Sequence, residues 1–260
     1  MPKFAANLSM MFNEVDFLDR FAGASKSGFK GVEYLFPYEY DRSKLRDLLQ
    51  DNNLEQVLFD LPAGDWSAGE RGIACHPDRT DEFKHGVDQA IEYATALKCP
   101  QVTCLAGIKP SNVSEELAHE TFADNLSYAA PLLAAAGVKL LIESINTIDI
   151  PGFFLNRTHQ ALEILEHVGL ENLSLQHDIY HMQIMEGNLA KTIEENINAI
   201  GHFQLADNPG RNEPGTGEIN YDYLLKYIDN LGYEGWIGCE YKPASVTLEG
   251  LEWAKPYLNN

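Results

Sequence analysis

Positive charge is what this 260-residue chain has least of: 19 Lys and Arg stand against 39 Asp and Glu, a formal net charge of −20. That field repels a phosphate backbone and no basic stripe overcomes it locally, so nucleic acid is not an expected partner. Small anions are repelled as well unless Arg or Lys side chains are placed for them. Cysteine is also scarce. Cys75, Cys99, Cys104 and Cys239 contain no CxxC pair and read as buried, reduced thiols, as expected of a cytoplasmic protein. No apolar run reaches membrane-spanning length, and the opening "MPKFAANLSMMFNEVDF", cut by Glu14 and Asp16, is not expected to be a secretory signal. Missing too is a Gly-rich phosphate fingerprint after the first strand-like run, the usual mark of a dinucleotide-binding open sheet.

What is present is a regular alternation. Hydrophobic residues at 45% and charged residues at 22% are ordinary globular values that allow a large core. Eight short β-rich runs recur: 4–10, 31–36, 55–61, 101–107, 139–145, 173–179, 202–207 and 235–241. Between them lie helical patterns such as "DEFKHGVDQAIEYATALK", several stopping at a glycine (Gly28, Gly137, Gly169, Gly232). Eight βα units in about 250 residues predict an α/β fold, a single (β/α)8 TIM barrel over 1–260, with a doubly wound open sheet as the alternative. Long connections after strands 3, 5 and 7 would lie on the strand C-terminal rim, where barrel active sites are built.

The last four strands each carry a polar side chain near that rim: Glu143, Asp178, Gln204 and Glu240, separated by 35, 26 and 36 residues. Successive barrel strands are neighbours, so the four converge. A single strand-end acid is most often a solvated rim residue. Three together repel unless a cation neutralises them, and three carboxylates with an amide oxygen suit Mg²⁺ or Mn²⁺. His181, three residues after Asp178, is a candidate to orient a substrate oxygen, whereas His177 alternates away and reads as packing. Arg71 and Arg211, in the long rim loops, are the candidates to grip a carboxylate bidentately, with Lys109 and Lys242 behind them; for any one cation, surface solubility is the plainer explanation.

Over almost its whole length, through "FAANLSMMF", "VEYLFPY", "GERGIA", "LLIES", "HFQLADNPGR", "EPGTGEINY" and "GWIGCEYKP", the chain resembles the xylose isomerase-like barrels and, within them, the hydroxypyruvate isomerases. The resemblance implies a divalent-metal enzyme that interconverts hydroxypyruvate and tartronate semialdehyde. It places metal ligands at Glu143, Asp178, Gln204 and Glu240 and an acid–base pair at Glu143 and Glu240. The related 2-oxo-tetronate isomerases share these motifs and take an acid one hydroxymethylene longer. The chemistry agrees: a cation stabilises the charge of an ene-diolate and glutamates move the proton. Glu33 and Glu70 are weaker rim acids. The expected partner is a small anionic hydroxy-carbonyl acid, and a homo-oligomer is compatible although no segment reads as an interface. Three rivals stand beside this reading: a metal-dependent endonuclease, which needs more His ligands and a basic groove; a non-catalytic sugar-acid binder; and a dehydratase or epimerase on the same scaffold.

Overall fold

In the computed structural model, which describes residues 1–258, the eight β-rich runs form parallel strands that close into a barrel in sequence order. They are β1 (Lys3–Asn7), β2 (Gly31–Glu33), β3 (Glu55–Asp60), β4 (Gln101–Cys104), β5 (Lys139–Glu143), β6 (Leu173–Asp178), β7 (Ile200–Leu205) and β8 (Trp236–Cys239), and β1 pairs with both β2 and β8. Strands walled on both faces must be apolar almost throughout, and Leu140, Leu141 and Ile142 of β5 are wholly buried. Each strand stops before the end of its expected run, because the backbone there leaves the ladder to become the loops of the rim. β1, β2 and β4 each stop three residues early; the run expected over 31–36, for example, ends at Glu33.

The helices α1 (Phe17–Lys26), α2 (Arg42–Asp51), α3 (Thr80–Leu97), α4 (Glu115–Ala135), α5 (Thr158–Val168), α6 (Ile179–Met185), α7 (Leu189–Asn196) and α8 (Tyr221–Asn230) follow, with a 3₁₀ turn (Glu249–Ala254) and α9 (Lys255–Leu258) at the end. In α3, Phe83, Val87, Ala90, Ala94 and Leu97 fall on one face and are buried, and a Phe or Leu hidden in this way contributes roughly 1.5–3 kcal/mol. Ser114 caps α4 by accepting the Leu117 N–H at 3.1 Å. The four expected helix-stop glycines all take positive φ, +96° at Gly28, +73° at Gly137, +63° at Gly169 and +83° at Gly232, a conformation that glycine reaches without a Cβ clash.

Most of the core lies between strands and helices. A separate small cluster of Ala5, Val57, Leu58 and Leu141, with Trp236 against it, packs strand residues alone. Trp236 opens β8 and the other four lie mid-strand, so this apolar packing leaves the C-terminal ends to polar groups. Cys75, Cys99, Cys104 and Cys239 are free and buried, as the sequence predicts. No described helix is long and apolar enough to cross a membrane.

Candidate active site

Glu143 ends β5, Asp178 ends β6, and Glu240 follows the last residue of β8. Asp178 also starts α6, accepting the Tyr180 N–H at 2.8 Å and the His181 N–H at 3.4 Å through Oδ1, and this cap directs His181 back toward the strand ends. One ligand-type atom from each of Glu143, Asp178, His181 and Glu240 lies within 4.8 Å of the other three, and all four residues are buried. Glu143 Oε1 and Asp178 Oδ2 are buried oxygens with no hydrogen-bond partner; His181 Nε2, at 3.9 and 3.6 Å, is too far to bond either. Buried carboxylate oxygens without partners are costly, and a divalent cation of oxygen preference fits them.

The electrostatics follow from this crowding. Burial, with Glu240 and Asp178 nearby, pushes Glu143 well above the ordinary carboxylate range. Burial raises Asp178 to about 6 against the opposing pull of Arg211, and raises Glu240 to about 8 in the same way. Burial and then the Arg211 charge hold His181 well below its usual value, so it stays neutral.

Arg211 is the cation the structure brings to this cluster. Its Nη2 bonds Glu240 Oε2 and lies 3.9 Å from Asp178 Oδ2, and its guanidinium sits over the Tyr180 ring at 5.1 Å. It arrives on the loop after β7, which is organised by Asp207. That buried carboxylate accepts the N–H groups of Asn208 and Ile219 at 3.0 Å through Oδ1, and those of Gly215 and Gly217 at 2.9 Å through Oδ2. The Arg211 carbonyl then accepts the Lys242 N–H at 2.8 Å, so the loop is tied across to the segment after β8.

Gln204 pairs in register with Asp178, and its amide is fixed from two sides. Nε2 donates to Glu33 Oε1 at 2.8 Å while Oε1 accepts from Gln176 Nε2 at 2.6 Å, leaving the second lone pair of that oxygen. Glu33 is fully buried and draws two more donors, Asn7 Nδ2 at 3.0 Å and His202 Nε2 at 2.8 Å. A side chain on Gly238 would meet the Glu33 carboxylate at 2.3 Å, so the glycine of "GWIGCEY" is the space in which Glu33 lies. Asp60 ends β3, and burial, with Glu240 and Glu33 nearby, holds it well above the usual range.

Other expected residues sit elsewhere. Arg71 stacks on Trp66 at 4.2 Å and bonds the carbonyls of Trp66 and Glu70 at 3.1 and 2.6 Å; these partners all belong to its own loop. Lys109 is tied to the Val113 carbonyl at 2.8 Å, and Glu70 to Arg79. His177 packs its ring against Phe203 at 5.7 Å, the packing role expected of it. A cleft of about 860 Å³ on the same rim is lined by Ser9, Leu35, Phe36, Trp66 and Lys242, among others. Ser9 donates its N–H to Asn7 Oδ1 at 3.0 Å, so the cleft floor adjoins the Asn7–Glu33 pair. Reading the polar strand ends only on the last four strands misses Asn7 and Asp60 and undervalues Glu33; the same rule on the first three finds all of them.

Comparison with known proteins agrees with this fold. The family model described as xylose isomerase-like TIM barrel matches residues 21–257. The hydroxypyruvate isomerase of Escherichia coli (strain K12) is 55% identical over 257 residues, 99% of this chain and 100% of that protein. The 2-oxo-tetronate isomerase of Cupriavidus necator is 49% identical over 258 residues, covering 99% of each. The crystal structure of an AP endonuclease, family 2, from Brucella melitensis superposes with a TM-score of 0.97 at 46% identity over 99% of both chains. With the closed barrel, a family model over most of the chain and full-length identity in agreement, the chain belongs to the xylose isomerase-like TIM barrel family, among the hydroxypyruvate and 2-oxo-tetronate isomerases.

Proposed function

We propose that this isomerase interconverts hydroxypyruvate and tartronate semialdehyde by proton transfer between C3 and C2, with 2-oxo-tetronate as the alternative substrate. The observation that carries the reading is a set of three buried carboxylates beside a guanidinium and a neutral imidazole, two of which, Glu143 and Asp178, turn an unpartnered oxygen into the cluster while Glu240 is bonded by Arg211. Glu143, Asp178 and Glu240, with Gln204 as the fourth oxygen, would hold Mg²⁺ or Mn²⁺. Such a cation supplies Lewis-acid stabilisation of the negative charge that develops on the substrate oxygens. Glu240 is the carbon base: burial raises its carboxyl to about 8 in the metal-free protein, and a bound cation would lower it toward the ionised form that a base needs at neutral pH. Glu143 is its partner on the neighbouring oxygen or carbon. His181 orients a substrate oxygen and Arg211 binds the substrate carboxylate, with Arg71 a second candidate from its loop. The cellular setting that fits four unpaired buried thiols is the cytoplasm.

An endonuclease reading draws on the likeness to the Brucella melitensis AP endonuclease structure. A chain of net charge −20 with one acid-rich cluster disfavours it. The test is a panel of hydroxypyruvate, 2-oxo-tetronate and a neutral ketose with Mg²⁺ or Mn²⁺, read by product identity. Turnover of an acid and not of the ketose supports the reading; turnover of the ketose alone overturns it.

A further inference from the structure

We propose that Asn146 is a positioning residue that fixes His181 as the Nε2–H tautomer, making this imidazole a hydrogen-bond donor at the carboxylate cluster and not a metal ligand. The Asn146 amide can point only one way. Its Oδ1 accepts the backbone N–H groups of Ile148 at 3.0 Å and Asp149 at 2.8 Å, so its Nδ2 is the end that faces outward. That Nδ2 donates to Asp149 Oδ2 at 3.1 Å and lies 2.6 Å from His181 Nδ1. Asp149 is itself held by the Tyr180 hydroxyl at 2.9 Å. Rotating the amide would break these bonds together and set its nitrogen against two backbone donors in a wholly buried position.

A donor at 2.6 Å from Nδ1 requires a lone pair there. The proton of the neutral ring is therefore on Nε2, and a doubly protonated ring would oppose N–H to N–H. One contact argues the other way: Arg211 Nη2 lies 3.5 Å from His181 Nε2. It is longer by 0.9 Å than the Asn146 contact, and the Arg211 guanidinium already has the Glu240 carboxylate to donate to. The carboxylate oxygens on that side of the ring, Asp178 Oδ2 at 3.6 Å and Glu143 Oε1 at 3.9 Å from Nε2, lie beyond hydrogen-bond reach but are acceptors without partners of their own, surroundings that match an N–H better than a lone pair. A His bound to a cation through Nε2 would have to carry its proton on Nδ1, against Asn146. The sequence places His181 one turn after Asp178 but is silent on which nitrogen is protonated; Asn146, on the loop after β5, decides it.

The substrate half of the inference, that the Nε2–H meets a substrate oxygen, rests on the isomerase reading above; the tautomer does not. The test is long-range ¹H–¹⁵N correlation NMR of ¹⁵N-histidine-labelled protein near neutral pH, with and without saturating Mg²⁺, the His181 signals assigned by their loss in His181→Gln. The expected pattern is protonated Nε2 and bare Nδ1 in both samples. Asn146→Asp is expected to move the proton to Nδ1 and to lower kcat/KM by about 10–100-fold, the usual cost of losing an orienting partner. Asn146→Ala, which leaves no partner on either side, is expected to give mixed tautomers, with circular dichroism checking the fold of both variants. A wild-type ring protonated on Nδ1, an Nε2–H that disappears on adding Mg²⁺, or an Asn146→Asp spectrum like the wild type overturns the assignment. Protein inactive on both acids yet carrying the Nε2–H ring would overturn the proposed function and leave this inference standing.

Discussion

Glu143 and Asp178 each present a buried oxygen with nothing to accept, and the consequences of removing either charge can be stated. Glu143→Gln is expected to weaken Mg²⁺ or Mn²⁺ binding by at least the roughly 10–100-fold that losing an outer partner of a metal site costs, and to reduce turnover in parallel; calorimetric titration with unchanged affinity would remove Glu143 from the cation site. Arg211→Met deletes a charge-assisted contact and is expected to cost about 1.5–3 kcal/mol in kcat/KM toward an acid substrate, with little effect on a neutral one. The raised carboxyls also fix a pH dependence. A group whose folded-state pKa lies above its unfolded value stabilises the fold below the unfolded value and loses that contribution as pH rises through the folded one. Asp178, at about 6, gives up its part mostly below pH 6, and Glu240, at about 8, continues to lose its part above it, so the metal-free protein is expected to lose melting temperature as pH rises from 6 to 8. The same deprotonation favours cation binding, so added Mg²⁺ should restore more stability at pH 8 than at pH 6. A melting temperature that is flat or rising over that interval without metal would contradict these assignments.

At the scale of elements, the loop after β7 shows how backbone geometry delivers a side chain. Four backbone donors converge on Asp207, and Gly217 comes so near that a Cβ there would lie 2.0 Å from the Asn208 carbonyl and 2.7 Å from Asp207 Oδ1. Gly217→Ala must therefore push the loop outward and Arg211 with it. A misplacement of about 1 Å can cost about 100-fold in rate, so a large fall in kcat/KM is expected, with cation affinity unchanged because the carboxylates stand on strands. An alanine variant with normal kcat/KM would show that Arg211 is placed independently of this loop. The sequence announced the loop through "NPGRNEPGTGE" and announced Glu143, Asp178 and Glu240 through their strand-end positions. It could not announce Asp207 as the anchor, because the donors it gathers are backbone groups that look the same in every sequence. Nor could it separate Arg71 from Arg211: both lie in long rim loops, and only the fold turns one to Trp66 and the other to Glu240.

For the whole molecule, the barrel was legible because its code is repetitive: eight apolar runs, helical spacing between them, and glycines where helices stop. Strand ends were less so, since Tyr34 and Leu35 are as strand-like as Val32 although the ladder ends at Glu33. The interior polar web of Asn7, Glu33, Gln176, His202 and Gln204 was hidden for a different reason, because its members come from strands that neighbour or face one another only after closure. The net charge of −20 acts at this scale too. It slows the approach of any anion at low ionic strength, and the Debye length falls to about 10 Å at 0.1 M salt. With the cation saturating, kcat/KM for an acid substrate is expected to rise as salt is added from near zero to about 0.1 M; a steep fall would mean that the local Arg field outweighs the global one. The central claim is that carboxylates at the strand ends move a proton between adjacent carbons of a small hydroxy-carbonyl acid, and its most direct test is one experiment. Hydroxypyruvate is incubated with enzyme and Mg²⁺ in D₂O, and the product is identified by NMR and mass spectrometry against an enzyme-free control for spontaneous exchange. Tartronate semialdehyde carrying deuterium at C2, with most of the turnover lost in Glu240→Gln although that variant still binds metal, is the result predicted here; tartronate semialdehyde formed at full rate without deuterium, or by Glu240→Gln as fast as by the wild type, would contradict it.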